Sequence, residues 1–192
     1  MENYGSRKSQ PLDRLSAGPF DITELIQVRP SIDFGAIQLP LRDDVVYKLE
    51  VEEATSKIVA LTVEHKGSSL QLQAFSAPGT DGVWHEIRST LEQSILAQNG
   101  RTEQVVGPLG PELNAQIPTA DGGFRLAKFI GVDGPKWFLR GVISGIALGD
   151  VLSMSHIIDI FRSVAVVRGS QPMPPKELLE LTAPAGGQKS VK

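Results

Sequence analysis

The densest set of residues able to do chemistry lies in one stretch, "FIGVDGPKWFLRG" (Phe129 to Gly141), which sets glycines and a lysine beside an aromatic pair and an arginine. A phosphate-cradling loop needs G-x-x-x-x-G-K-[ST] between a strand and a helix, so that successive backbone N–H groups face the phosphates. Here the glycine spacing is wrong, Pro135 carries no N–H, and Trp137 follows Lys136 where Ser or Thr is required. Asp133-Gly134 between two strand-like runs is instead a hairpin signal. Alternation puts Trp137 and Leu139 on one face of the second strand and Phe138 and Arg140 on the other. Large groups on both faces predict a central strand covered on both sides, with Arg140 at the rim. Trp and Arg also concentrate in binding hot spots, which makes Asp133, Lys136, Trp137 and Arg140 the candidate partner-binding residues.

The other chemical groups form no constellation. His65, His85 and His156 lack metal-ligand spacing. No serine stands in a G-x-S-x-G or S-x-x-K pattern, so the signature of a nucleophilic hydrolase is missing. "EVEEATSK" and Asp43-Asp44 lack the regular oxygen-ligand spacing of a calcium loop and read as solvated strand ends and turns. No catalytic, cofactor-binding or metal-binding residue is assigned, and the reading leans away from an enzyme. A small-ligand pocket between sheet and helix, near Trp84, His85 and Trp137, is the alternative.

These groups need a scaffold, and the whole chain bounds it. Its 192 residues suit one domain with mobile ends: an N-terminal segment 1–18, a body 19–183 and a tail 184–192. Hydrophobic residues make up 41% and charged residues 21%, ordinary for a globular chain. The net charge of −3 argues against a strong grip on nucleic-acid backbones. With no cysteine, thiolate chemistry and disulfides are excluded, and with neither a signal-like N-terminus nor a membrane-length apolar window the expected location is the cytoplasm.

The elements follow from periodicity. "FGAIQLP" (34–40) and "VVYKLEVEE" (45–53) bracket the turn "LRDD", and the meander continues through "KIVALTVEH" (57–65) and "LQLQAFS" (70–76), where Leu61, Val63, Leu70, Leu72 and Ala74 take the inward phase. Val83, Trp84, Ile87, Leu91, Ile95 and Leu96 share one helix face, with Thr80 or Asp81 as N-cap and Asn99-Gly100 as the stop. Strands are expected at 102–107, 112–118, 124–132 and 136–145. A second helix is capped by Asp150 and turns Val151, Met154, Ile157, Ile158 and Phe161 to the core. "VAVVRG" is expected as a last strand and "MPPKELLELTAP" as a single helical turn.

This order resembles the sandwich of the photosystem-II oxygen-evolving P-subunit and the Ran-binding Mog-one proteins. The resemblance implies an α+β fold, an antiparallel β-sheet with two main helices packed on it, the PsbP/Mog-one-like sandwich. "GPFD" (18–21), "DFGAIQLP" (33–40), "LQLQAFSAP" (70–78), "GVDGPKWFLRGVISG" (131–145) and "VVRGSQPMPPKELLEL" (166–181) are similar to an uncharacterised actinobacterial protein family, a domain of unknown function. Its members are typically cytoplasmic, often encoded near a dUTPase and a small oligonucleotide-binding-fold protein, and carry no established catalytic residues. Many have a long charged N-terminal arm that this chain lacks in that form. Together these readings point to a non-catalytic protein–protein interaction module with an unidentified protein partner. The alternative is a small-ligand binder or an enzyme of nucleotide or nucleic-acid metabolism.

Overall fold

Runs of alternating apolar and polar residues become long strands, and the computed structural model, which describes residues 7–186, arranges them around two helices. A short helix α1 (Arg14–Ala17) leads into β1 (Phe20–Asp21), β2 (Ser31–Asp33) and β3 (Ile37–Pro40). Then come β4 (Val46–Glu52), β5 (Lys57–His65), β6 (Ser68–Ser76) and the helix α2 (Trp84–Ala97). The second half holds β7 (Arg101–Gly107), β8 (Gly110–Pro118), β9 (Phe124–Asp133), β10 (Trp137–Gly145), the helix α3 (Val151–Arg162) and β11 (Ala165–Val166). Among the described residues no helix is long and apolar enough to cross a membrane.

The long strands make a seven-stranded antiparallel sheet, ordered β4-β5-β6-β10-β9-β8-β7. It consists of two meanders, linked in sequence by α2 and in space by the β6–β10 ladder, whose register runs from Trp137 opposite Ser76 to Gly145 opposite Ser68. The α+β fold is as expected, but the chain adds a second sheet, β1-β11-β3-β2, in which β1 and β11 run parallel. "FGAIQLP" therefore does not pair with β4 across "LRDD"; its strand β3 lies between β2 and β11. Strands of two to four residues are too short to show a period, and pairing between chain ends leaves no local signal.

Each face of the large sheet is covered over only part of its width. On one face Leu61, Val63, Leu70, Leu72, Ile130, Trp137 and Leu139 pack against the small sheet and α3, through Ile37, Leu39, Ile157 and Phe161. On the other, Leu113, Ala115, Ala127, Phe129 and Phe138 pack under Trp84, Ile87, Leu91 and Ile95 of α2. Burial of each large side chain contributes about 1.5–3 kcal/mol, which holds both layers in place. α2 packs chiefly over β7, β8 and β9, and β6 reaches its cluster only through Phe75, so among the described residues no helix layer covers that face over β4, β5 and the rest of β6. Two expected core positions fall outside these layers: Leu96 and Val151 are exposed.

The described residues near both ends of the chain make contacts with the body. Residues 1–6 and 187–192, parts of the expected mobile segments, lie outside the described residues. From Arg7 onward the N-terminal segment packs on the body. Lys8 Nζ donates to the carbonyls of Gly134 and Pro135, at 2.5 and 2.7 Å, and the Ser9 carbonyl accepts from Asp133 N–H at 2.8 Å. Arg14 is buried and pairs with Glu24 at 2.8 Å. The "MPPKELLELTAP" segment is an extended strap, not a helical turn. Its backbone bonds to Ala74 and Ser76 at one end and to Phe34 and Ala36 at the other, tying the two sheets together. Its prolines favour extended backbone, and Leu179 and Leu181 find the core in that conformation.

Candidate functional site

The opening stretch is a hairpin, closed by Gly134 N–H donating to the Trp137 carbonyl at 2.8 Å. Its residues go to three different places. Asp133 is 1% exposed and works inside the molecule: Oδ1 accepts from Val83 N–H at 2.9 Å and Oδ2 from Ser9 N–H at 2.8 Å. α2 begins after Val83 with no side-chain cap, so neither Thr80 nor Asp81 caps it as expected, and Asp133 instead holds the backbone just ahead of the helix. Burial pushes its carboxyl above the usual range, and the N–H donors and Lys8 pull the other way. Trp137 is fully buried on the α3 face, where its Nε1–H donates to Asp21 Oδ2 at 2.9 Å. Lys136 is exposed at the hairpin tip.

Arg140 is half-buried on the opposite face, and a ladder of rings begins beside it. Its Cζ lies 5.4 Å from the Phe75 centroid. Phe75 stacks on Phe138 at 6.1 Å, Phe138 on Trp84 at 5.4 Å, and Arg88 Cζ sits 5.6 Å from the Trp84 ring centroid. Gly131 makes room for this stack, because a Cβ there would lie 2.6 Å from Trp84 and 2.7 Å from Phe138. Each cation–ring contact is worth about 0.5–2 kcal/mol, more as water is excluded. The expected pocket residues are accounted for here: Trp84 is fully buried, donating Nε1–H to the Pro111 carbonyl at 2.7 Å, and His85 is exposed with Nδ1 3.4 Å from Arg88. Trp84 and Trp137 lie on opposite sheet faces, so they do not line one cavity.

Arg140 faces the bare part of the sheet. Its neighbours there are polar: Gln73 Oε1 accepts from Nη2, and beyond it Gln71 and Thr62 both donate to Glu50, at 2.7 and 2.6 Å. Arg140 Nε is buried without an acceptor, and no ion pair among the described residues includes this arginine. Burial lowers its pKa from the ordinary value, as expected for a cation held without a counter-charge. Sequence alternation finds Arg140 but misses Phe75 and Gln73, since only the non-local β6–β10 register sets Phe75 opposite Phe138 and Gln73 opposite Arg140.

Two other places merit description. A groove of about 350 Å³ on the α3 side of β7, β8 and β9 is walled by Leu148 and Leu126, with Arg101, Asn114, Gln116 and Lys128 on its floor. His65 and His156 meet edge to face at 5.3 Å, and His65 Nε2 is 3.3 Å from Asp44. The Arg42 guanidinium beside Asp44 holds that carboxyl down to about 2. Among the described residues no three potential metal ligands converge.

Fold and site define an α+β sandwich whose large antiparallel sheet is covered over only part of each face. The chain belongs to the family DUF3710, described as "Protein of unknown function", whose model matches residues 18–190. No curated protein and no solved structure is a significant match to it.

Proposed function

We propose that the protein is a cytoplasmic, non-catalytic interaction module whose partner-binding surface is the bare sheet face around Arg140. The observation that carries this reading is Arg140 itself: a largely desolvated guanidinium, fixed by Gln73 and Phe75, with a buried donor and no carboxylate of its own. An acidic side chain on a partner completes it, because carboxylates match the guanidinium fork and such bonds are strong in a desolvated setting. The flat polar floor of Gln71, Thr62 and Glu50 suits a macromolecular surface better than a small molecule, which needs concavity. The hairpin tip offers less, since the chain's own Lys8 and Ser9 occupy it and Asp133 and Trp137 are buried. Lys136 alone of the tip's candidate residues remains exposed. The reading agrees with the resemblance to sandwich proteins that act as scaffolds and partner binders, and with an actinobacterial setting.

The test is affinity purification of the tagged protein and of Arg140→Ala from host lysate, each split into nuclease-treated and untreated halves. A protein retained at stoichiometric level by the wild type in both halves, and lost with Arg140→Ala at unchanged melting temperature, is the expected result. Retention by both baits contradicts the Arg140 surface. Proteins that vanish with nuclease contradict a protein partner and favour the reading linked to nucleic-acid metabolism.

A further inference from the structure

The small sheet carries a second site, unconnected with the Arg140 face. The loop between β1 and β2 folds over its outer surface and leaves a groove of about 200 Å³. Its lining is partly apolar, with Ile22, Leu25 and Val28 of the loop and Ala165 of β11, and partly polar, with Gln27, Arg29, Ser31 and Gln38. The side chains of Ser31 and Gln38 hold no hydrogen bond among the described residues.

Arg29 is positioned from behind. Its Nη2 donates to the Ser163 carbonyl, and its Cζ lies 5.7 Å from the Phe20 ring centroid. These contacts fix the guanidinium without neutralising it, for no ion pair among the described residues includes Arg29. Burial lowers its pKa from the ordinary value, so the charge is held at a cost. A fixed cation with remaining donors, lining one groove together with a hydroxyl, an amide and aliphatic side chains, is the pattern of an amphiphilic anion site. At this volume the ligand is smaller than the drug-sized molecules that fill about 300–1,000 Å³.

We infer that this groove binds a small organic carboxylate with an aliphatic tail, the carboxylate on Arg29, Ser31 and Gln38 and the tail against Ile22, Leu25, Val28 and Ala165. A free short-chain acid and the C-terminal carboxylate of a peptide ending in an aliphatic residue share this chemistry.

The experiment is a methyl-NMR titration of the full chain with hexanoate and hexanol, and with a blocked tripeptide ending in leucine as acid or amide. Hexanoate is expected to give saturable shifts at the Ile22, Leu25 and Val28 methyls, with hexanol and Arg29→Met each weaker by about tenfold or more, the scale of one charged hydrogen bond. Should Arg29→Met fail to fold, the pair Ser31→Ala and Gln38→Leu is expected to weaken hexanoate instead. The peptide acid binding more tightly than hexanoate assigns the carboxylate to a chain terminus, and the reverse order assigns it to a free acid. The inference is overturned if neither acid gives a saturable shift, if hexanol matches hexanoate, or if the shifts fall only on other methyls such as those of Leu126 and Leu148.

Discussion

At the residue scale, two side chains that look like recognition residues do structural work. Asp133 joins three parts of the chain, because its two oxygens take N–H donors from Ser9 and Val83 while its own N–H reaches the Ser9 carbonyl. Asn in its place keeps one acceptor and points an N–H at the other donor. We expect Asp133→Asn to lower unfolding stability by about 1–3 kcal/mol, the cost of a buried donor left unmade, measured by urea denaturation. A change within a few tenths would mean that the N-terminal segment and the start of α2 do not depend on this carboxylate. Trp137 gives the same lesson through its bond to Asp21. Burial places it with the core, and its type alone does not distinguish an anchor for a partner from an anchor for the fold.

At the element scale, the strap after β11 is what joins the two sheets. It passes so close to Gly35, whose φ is +81°, that a Cβ there would lie 2.9 Å from the Glu180 carbonyl oxygen. Gly35→Ala is therefore expected to lower the melting temperature by several degrees, since it combines left-handed backbone strain with a displaced strap. Leu181→Ala, which trims a core contact of the same strap, costs about 2–5 kcal/mol on the same assay. If Gly35→Ala melts like the wild type, the strap is not seated as described. The long elements were legible because their periods are long: β5 spans the expected residues, Leu70, Leu72 and Ala74 point inward, and Asp150 caps α3 through Ser153 N–H at 2.8 Å. The small sheet and the strap were not, because their short strands find partners far away in sequence, and prolines read equally well as a helix start or an extended segment.

At the scale of the whole molecule, the two covering layers are offset, α2 toward the β7 side of one face and α3 with the small sheet on the other face. That offset, more than any single motif, creates the candidate partner surface. It was invisible in the sequence, where Arg140 is one alternating residue among many. It also moves the expected contact from the hairpin tip to the sheet. The direct measurement is the affinity of the captured partner for two variants, Gln71→Glu on the bare face and Lys136→Glu at the hairpin tip, by titration calorimetry with melting temperatures as controls. Because the partner is expected to bring a carboxylate, the account predicts that the added negative charge of Gln71→Glu weakens binding by about tenfold, a loss near 1.4 kcal/mol, while Lys136→Glu leaves it unchanged. The reverse pattern, loss at Lys136 with Gln71→Glu silent, would contradict it and return the interface to the hairpin.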